Sequence, residues 1–194
     1  MLSQNVILDE DIPVTGAKTW LGPRASTVST VSTLCSDVEE DKSTSFEHES
    51  RLEDIATRFT RLLCSNTHTE QKLAPILMRG IKVLMSCGYD YLDVSSVLAV
   101  TVEHHSSLLS RLTKTTLSDK ERSFIILAQM FIAHTIVLDE CVVLSNWHKY
   151  LFSSYCDMNC LKRAIARILK RMEYTLTVEP DRVSDLAHSI LNFS

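Results

Sequence analysis

The residues best suited to metal chemistry are the adjacent histidines His104 and His105, which follow Glu103. Imidazole and carboxylate groups are common zinc ligands, but neighbouring residues on a helix point about 100° apart. A zinc site would therefore need ligands from distant positions such as His134 or Cys141. We expect no metal here, and we predict that these histidines lie at the surface or pack between helices.

The cysteines do not form a zinc or thioredoxin motif, because no two of them are spaced as CxxC. The six are Cys35, Cys64, Cys87, Cys141, Cys156 and Cys160. Cys64 and Cys87 sit among apolar residues at helical spacing, where a free thiol behaves as a small hydrophobic side chain. Free thiols, together with an N-terminus that lacks a secretory signal, predict a reducing compartment: the cytoplasm, the nucleus or both.

Catalytic motifs are absent from the sequence. It contains no nucleotide-binding loop, nucleophile elbow or HExxH pattern. Its four glycines, Gly16, Gly22, Gly80 and Gly88, are too scattered to build a phosphate cradle. We therefore predict a protein that is not an enzyme, with no cofactor and no small-molecule substrate.

A basic stripe is the clearest candidate for a binding surface. Arg163, Arg167, Lys170 and Arg171 fall within about two turns of a helix-forming segment, and could meet an acidic or phosphorylated protein. The same pattern is also typical of a solvated helix face. Nucleic acid is not the expected partner, because no aromatic residues interleave the charges and the formal net charge is −4.

The N-terminal quarter of the chain predicts a disordered tail over 1–46. It is rich in Ser and Thr and then acidic, so it cannot bury enough apolar surface to offset the entropy of ordering. Within it Ser36 precedes Asp37, Glu39 and Glu40, a pattern that acid-directed kinases phosphorylate. We expect Ser36 to be a possible phosphosite and the tail to be regulatory.

The remaining residues, 47–194, predict one all-α domain. Of the 194 residues, 45% are hydrophobic and only four are Gly and four Pro, which suits helices better than a turn-rich sheet protein. The longest apolar stretch, Phe124–Leu138, is shorter than the roughly 20 residues that span a bilayer, so no membrane partner is expected.

Apolar residues recur at helical spacing through this domain. The pattern predicts helices over 49–64, over 75–87 with Pro75 at its first position, and over 94–110 with Asp93 as its cap. After the apolar run it predicts a short helix capped by Ser145, a helix that begins at Asp157 or Asn159, and a terminal helix over 182–191.

Ser118 and Glu121 match a capping box immediately before the apolar run. That run, Phe124–Leu138, is apolar on almost every face, with Phe131 at its middle. A helix of this kind is surrounded by others, so we predict that it forms the centre of the domain.

Several local segments, taken together over about 50–183, resemble a single cyclin box. They are Val97-Leu98-Ala99-Val100, Phe131-Ile132-Ala133 through Leu138-Asp139-Glu140, Ser145-Asn146-Trp147, and Cys160 to Val183 with Leu161, Ile165, Leu169, Met172, Tyr174, Leu176, Val178 and Pro180. The chain is most similar to the P-type cyclins, the phosphate-signalling type of yeast, plants and protists.

The resemblance implies five helices around a central apolar helix, with an N-terminal entry helix. It also implies a regulatory subunit that binds and activates a cyclin-dependent protein kinase, as cyclins do in the cell cycle. The kinase contact it implies comprises Leu138, Asp139, Glu140, Ile165 and Leu169.

The sequence departs from the family at positions that brace the fold or contact the kinase. Ile136 or Val137 stands where the family has Lys, Ala164 or Ile165 stands where it commonly has Glu, and His104-His105 replaces the usual Asp-Arg. The alternative is therefore a helical protein-interaction adaptor whose degenerate cyclin box does not activate a kinase. A small helical regulator that binds DNA or RNA is a third class.

Overall fold

The computed structural model describes residues 42–64, 66–112, 117–138 and 143–192. They form seven α-helices and one π-helical turn: α1 (Lys42–Leu63), α2 (Thr67–Ser86), α3 (Tyr91–Arg111), α4 (Asp119–Val137), α5 (Leu144–Trp147), the π-turn (His148–Phe152), α6 (Met158–Arg171) and α7 (Pro180–Leu191). No strand occurs within these ranges, so the predicted all-α class is confirmed.

Two predicted helix starts are confirmed by their caps. At α4 the Ser118 hydroxyl accepts a hydrogen bond from the Glu121 amide at 3.3 Å, and the Glu121 carboxylate accepts one from the Ser118 amide at 3.0 Å. At α6 the Asp157 carboxylate accepts from the Cys160 amide at 2.8 Å, which decides between the two predicted openings. Each cap satisfies backbone donors that the first turn leaves unpaired.

The predicted start of α2 is wrong. Asn66 caps this helix by accepting from the His68 amide at 2.9 Å, so Pro75 lies inside α2 rather than at its first position. A proline there removes one backbone hydrogen bond. The helix continues because Leu73 and Leu77, on either side of the proline, are fully buried in the core and packing outweighs the local penalty.

Two further caps differ from the prediction. Asp90, not Asp93, caps α3, and the Asp93 carboxylate instead accepts from the Asp90 amide to complete a capping box. Val143 precedes α5 without a side-chain cap, and Ser145 lies within that helix. α1 also begins at Lys42, earlier than the predicted residue 49, and α7 begins at Pro180.

α3 and α4 share the centre of the fold. α3 packs against α1, α2, α4, α6 and α7, and all six of its residues from 97 to 102 are buried. α4 packs against α2, α3 and α6, and against aromatic rings from α5 and the π-turn. The central position predicted for the apolar run is therefore divided between two helices.

One side of α4 is not covered by the described helices, contrary to the prediction that it is enclosed. Phe131 is only half-buried, with its ring edge-on to Trp147 at 5.7 Å, and Ile136 is 42% exposed. The other side is tightly packed, because a Cβ atom at Gly80 of α2 would lie 3.0 Å from the Leu127 side chain. In the described part of the chain, no helix combines the length and hydropathy needed to cross a membrane.

Candidate functional site

The basic stripe lies on the outer face of α6. The inner face of this helix buries Leu161 and Ile168 in the core, and Met172 at its C-terminal cap is also buried. Its sequence contains five Lys or Arg residues and no acid, so α6 carries a formal charge of +5 in a chain whose total is −4. The amphipathic spacing therefore leaves the basic residues on the face of α6 opposite the core.

The stripe cations make no side-chain hydrogen bond or ion pair with the described residues. They are Arg163, Arg167, Lys170 and Arg171, and all four are exposed. Cations elsewhere in the described chain commonly pair with carboxylates, as in Arg61–Glu70, Lys72–Asp119, Lys82–Glu49, Arg111–Glu173 and Arg182–Glu103. Within the described ranges, α6 therefore carries four exposed cations that have no described counterion.

A strained turn follows α6. Glu173 and Tyr174 have φ values of 53° and 56°, in the left-handed region that costs about 1–2 kcal/mol per non-glycine residue. The turn is held because the Tyr174 amide donates to the Leu169 carbonyl at 2.9 Å, and the Arg111 guanidinium contacts the Glu173 carboxylate at 3.2 Å. It leaves Tyr174 67% exposed next to the stripe. The sequence did not predict this turn, because no glycine marks it.

The structure describes only part of the predicted kinase contact. Leu138 caps the C-terminal end of α4, whereas Asp139 and Glu140 lie outside the described residues. Ile165 and Leu169 are half-buried against the core from α6.

His104 and His105 pack between helices, one of the two placements predicted for them. The Nε2–H group of His104 donates to the Leu176 carbonyl at 3.2 Å, and Nδ1–H of His105 donates to the Gln129 side-chain oxygen at 2.8 Å. Burial lowers the pKa of both imidazoles below the usual value. Both imidazoles therefore contribute hydrogen bonds and packing between helices.

His134 occupies a third buried position. Its Nε2 atom lies 3.1 Å from the Tyr89 hydroxyl, and its ring lies 5.7 Å from that of Trp147. Burial also lowers the pKa of this imidazole. Across the described ranges, no three His, Cys, Asp or Glu residues are placed to hold a metal ion, and Cys141 lies outside those ranges.

The cysteines differ from the prediction at one position. Cys64 is buried in the core as predicted, and burial raises the pKa of its thiol. Cys87 is exposed, because α2 ends at Ser86 and turns away; its thiol donates to the Val83 carbonyl at 3.1 Å.

The sequence analysis missed one thiol pair, Cys156 and Cys160. Burial, followed by the neighbouring Cys160 thiol, raises the pKa of Cys156 to about 12. Helical spacing could not have indicated this proximity, because Cys156 precedes the N-cap of α6. The predicted phosphosite Ser36 and most of the predicted tail, with Cys35, lie outside the described residues.

Comparison with known proteins found no match: no family model, no curated protein and no solved structure is significantly similar to this chain. The candidate site rests on geometry alone. It is the basic face of α6, because its four cations are exposed.

Proposed function

We propose that this chain is a non-catalytic regulatory subunit that binds and activates a cyclin-dependent protein kinase. The observation that carries the proposal is the order of the helices. α1 corresponds to an entry helix, and α2, α3, α4, the α5–π-turn unit and α6 follow as five consecutive helices. Of the segments that resemble a cyclin box, 97–100 lies on α3, 131–137 on α4, 145–147 on α5 and 160–171 on α6.

Activation in this proposal is a shift of population. A kinase whose regulatory helix swings between inward and outward positions is driven toward the inward, competent form by a partner that binds that form more tightly. The chain supplies binding energy and no chemistry. A rigid surface is required for this, and α3 and α4 provide a densely packed support for it.

The kinase contact is best located at the end of α4. Leu138 lies there, followed by Asp139 and Glu140, and the described residues on either side include exposed apolar side chains. Ile136 is 42% exposed and Val143 is 61% exposed. Apolar side chains flanking a pair of acids would give a partly desolvated contact in which charge fixes the orientation.

The second candidate function is an adaptor that binds protein without activating a kinase. The observation that favours it is the packing of Ile165 and Leu169 against the core, because the resemblance implies that these two residues contact a kinase. Under this alternative, the α6 residues serve only the core.

Affinity isolation of the full chain, with identification of co-purifying kinases and assay of their activity, tests both candidates. We expect a cyclin-dependent kinase that is more active in the complex than alone. The double variant Ile136→Asp/Val143→Asp should lose the kinase, whereas the matched control Leu62→Asp, also 42% exposed, should retain it. A bound kinase with unchanged activity would support the adaptor. The absence of any kinase would refute the activation proposal, and a different co-purifying protein in its place would also support the adaptor.

A further inference from the structure

Three arginines form a regular row along α6. Arg163, Arg167 and Arg171 follow one another at steps of four residues, which places them about 6 Å apart along the helix axis. Lys170 lies within the same exposed face. The row is about 12 Å long, and its side chains point into solvent rather than toward a common centre.

Alternate side chains of an extended peptide point to the same side at a spacing of about 6.6 Å. A peptide with carboxylates at every second position would therefore match the three arginines one for one. A guanidinium group can donate two parallel hydrogen bonds to one carboxylate, which favours Arg over Lys for such pairing. A single phosphate group would need cations that converge on one point, and the row does not provide this.

Negative charge bounds the row at both ends. Asp157 caps the N-terminus of α6, and the Glu173 carboxylate follows its C-terminus. No aromatic residue lies between 163 and 171, so successive bases would find no stacking surface along the row. Sites for single-stranded nucleic acid usually follow the backbone over about 4–16 nucleotides with such stacking, so a short row of this kind fits a peptide better.

We propose that the exposed face of α6 is a docking surface for an extended acidic segment of a partner protein, with Glu or Asp at alternate positions. Each of Arg163, Arg167 and Arg171 pairs with one carboxylate, and Lys170 adds to the local positive potential. The surface is separate from the end of α4 and does not depend on which kinase, if any, binds there. The partner is therefore recognised by the spacing of its charges.

A labelled peptide of about nine residues that alternates Glu and Ser tests the proposal by fluorescence anisotropy with the full chain. Binding should weaken as salt rises from about 50 to about 200 mM, because the contact is electrostatic. Arg163→Glu/Arg167→Glu should weaken binding at least tenfold. Arg163→Lys/Arg167→Lys should retain most of it.

A matched control makes the same change in net charge elsewhere. Lys120→Glu/Lys149→Glu alters two exposed cations that contact only aromatic rings among the described residues, at 5.6 and 5.1 Å, and should leave peptide binding within about twofold of the original chain. Circular dichroism of each variant should match that of the unaltered chain, because the replaced side chains are exposed.

Competing ligands test which kind of acidic ligand the surface of α6 prefers. If a peptide with a single phosphoserine or an oligothymidylate binds more tightly than the alternating peptide, the proposed spacing match is wrong. If the Arg163→Glu/Arg167→Glu variant binds the alternating peptide as tightly as the unaltered chain does, the docking surface does not lie on α6. No detectable binding of the alternating peptide at low salt would overturn the proposal as a whole.

Discussion

Phe131 and Phe152 each contact another aromatic ring, yet they differ in burial. Phe152 is fully buried and meets Phe124 edge-on at 5.3 Å, whereas Phe131 is half-buried against Trp147. Phe152→Ala should therefore lower the free energy of unfolding by about 3–5 kcal/mol. Phe131→Ala should cost about half as much or less, because less apolar surface is removed from the core.

Urea denaturation followed by circular dichroism measures both variants. If Phe131→Ala costs as much as Phe152→Ala, the open side of α4 is covered in the intact protein by a segment or partner beyond the described residues. Such a result would support the prediction from the sequence that α4 is enclosed on every side.

The buried histidines predict a dependence of stability on pH. Burial holds the pKa of His104, His105 and His134 below that of the unfolded chain, which is about 6.5. Below that pH the unfolded chain binds more protons, so the free energy of unfolding should fall as pH decreases. Between pH about 7 and 8 these groups should contribute no slope.

The groups around these histidines make His105 the informative position. Hydrogen bonds oppose the lowering of the pKa at both residues, from Gln129 at His105 and from the Leu176 carbonyl at His104. The Arg122 charge adds to the lowering at His105, whereas the Glu103 charge opposes it at His104. His105→Gln, which cannot titrate, should flatten the decline in urea-denaturation stability between pH about 6.5 and 5. An unchanged slope in this variant would show that other groups control acid sensitivity.

Residue types and spacing predicted exposure well where charge decided it. Arg163 and Arg167 had to face solvent, because burying an unpaired guanidinium is costly. Exposure was mispredicted for Cys87 and Phe131, whose environments depend on where α2 stops and on which neighbours cover α4. That information lies in tertiary packing, not in local spacing.

Helix boundaries were predictable where a complete local motif was present. The box of Ser118 and Glu121 located α4 to the residue, because two reciprocal hydrogen bonds form within four residues. Pro75 gave the wrong start for α2, since its preference for a first turn is weaker than the burial of its neighbours Leu73 and Leu77.

The capping box of α4 gives an element-scale prediction. Ser118→Ala removes the acceptor for the Glu121 amide and should lower the free energy of unfolding by about 1 kcal/mol. Ser106→Ala, an exposed position within α3 that caps nothing, is the matched control and should change stability by less than about 0.5 kcal/mol. Equal effects of the two changes in thermal or urea unfolding would mean that the cap contributes no more than an ordinary surface serine.

At the scale of the molecule, composition sufficed for the all-α class and for a single helical core. Pairing of helices was not predictable from spacing, because an apolar stripe does not specify the stripe it meets. The central position of α3 is an example: its β-branched residues, including Val97, Val100, Thr101 and Val102, are poor helix formers in isolation but are buried among neighbouring helices.

α7 provides the whole-molecule prediction, because the resemblance to a cyclin box ends at about residue 183 while the packing of α3 continues beyond it. α7 buries Ala187 and Ile190 against the domain, and Arg182 pairs with Glu103 of α3 at 2.8 Å. A chain truncated after residue 179 would expose this face of α3. Each large apolar side chain that loses its burial forfeits about 1.5–3 kcal/mol, and the total approaches the 5–15 kcal/mol that stabilises a typical domain.

We therefore expect residues 1–179 to lose cooperative thermal unfolding by circular dichroism, whereas residues 1–194 unfold in one transition. Ile190→Ala in the full chain is the graded control, and should cost about 2–5 kcal/mol while the helical signal at low temperature stays unchanged. Cooperative unfolding of residues 1–179 within a few degrees of the full chain would contradict this expectation. The folding unit would then end with the cyclin-box-like segment, and α7 would be an accessory helix rather than part of the core.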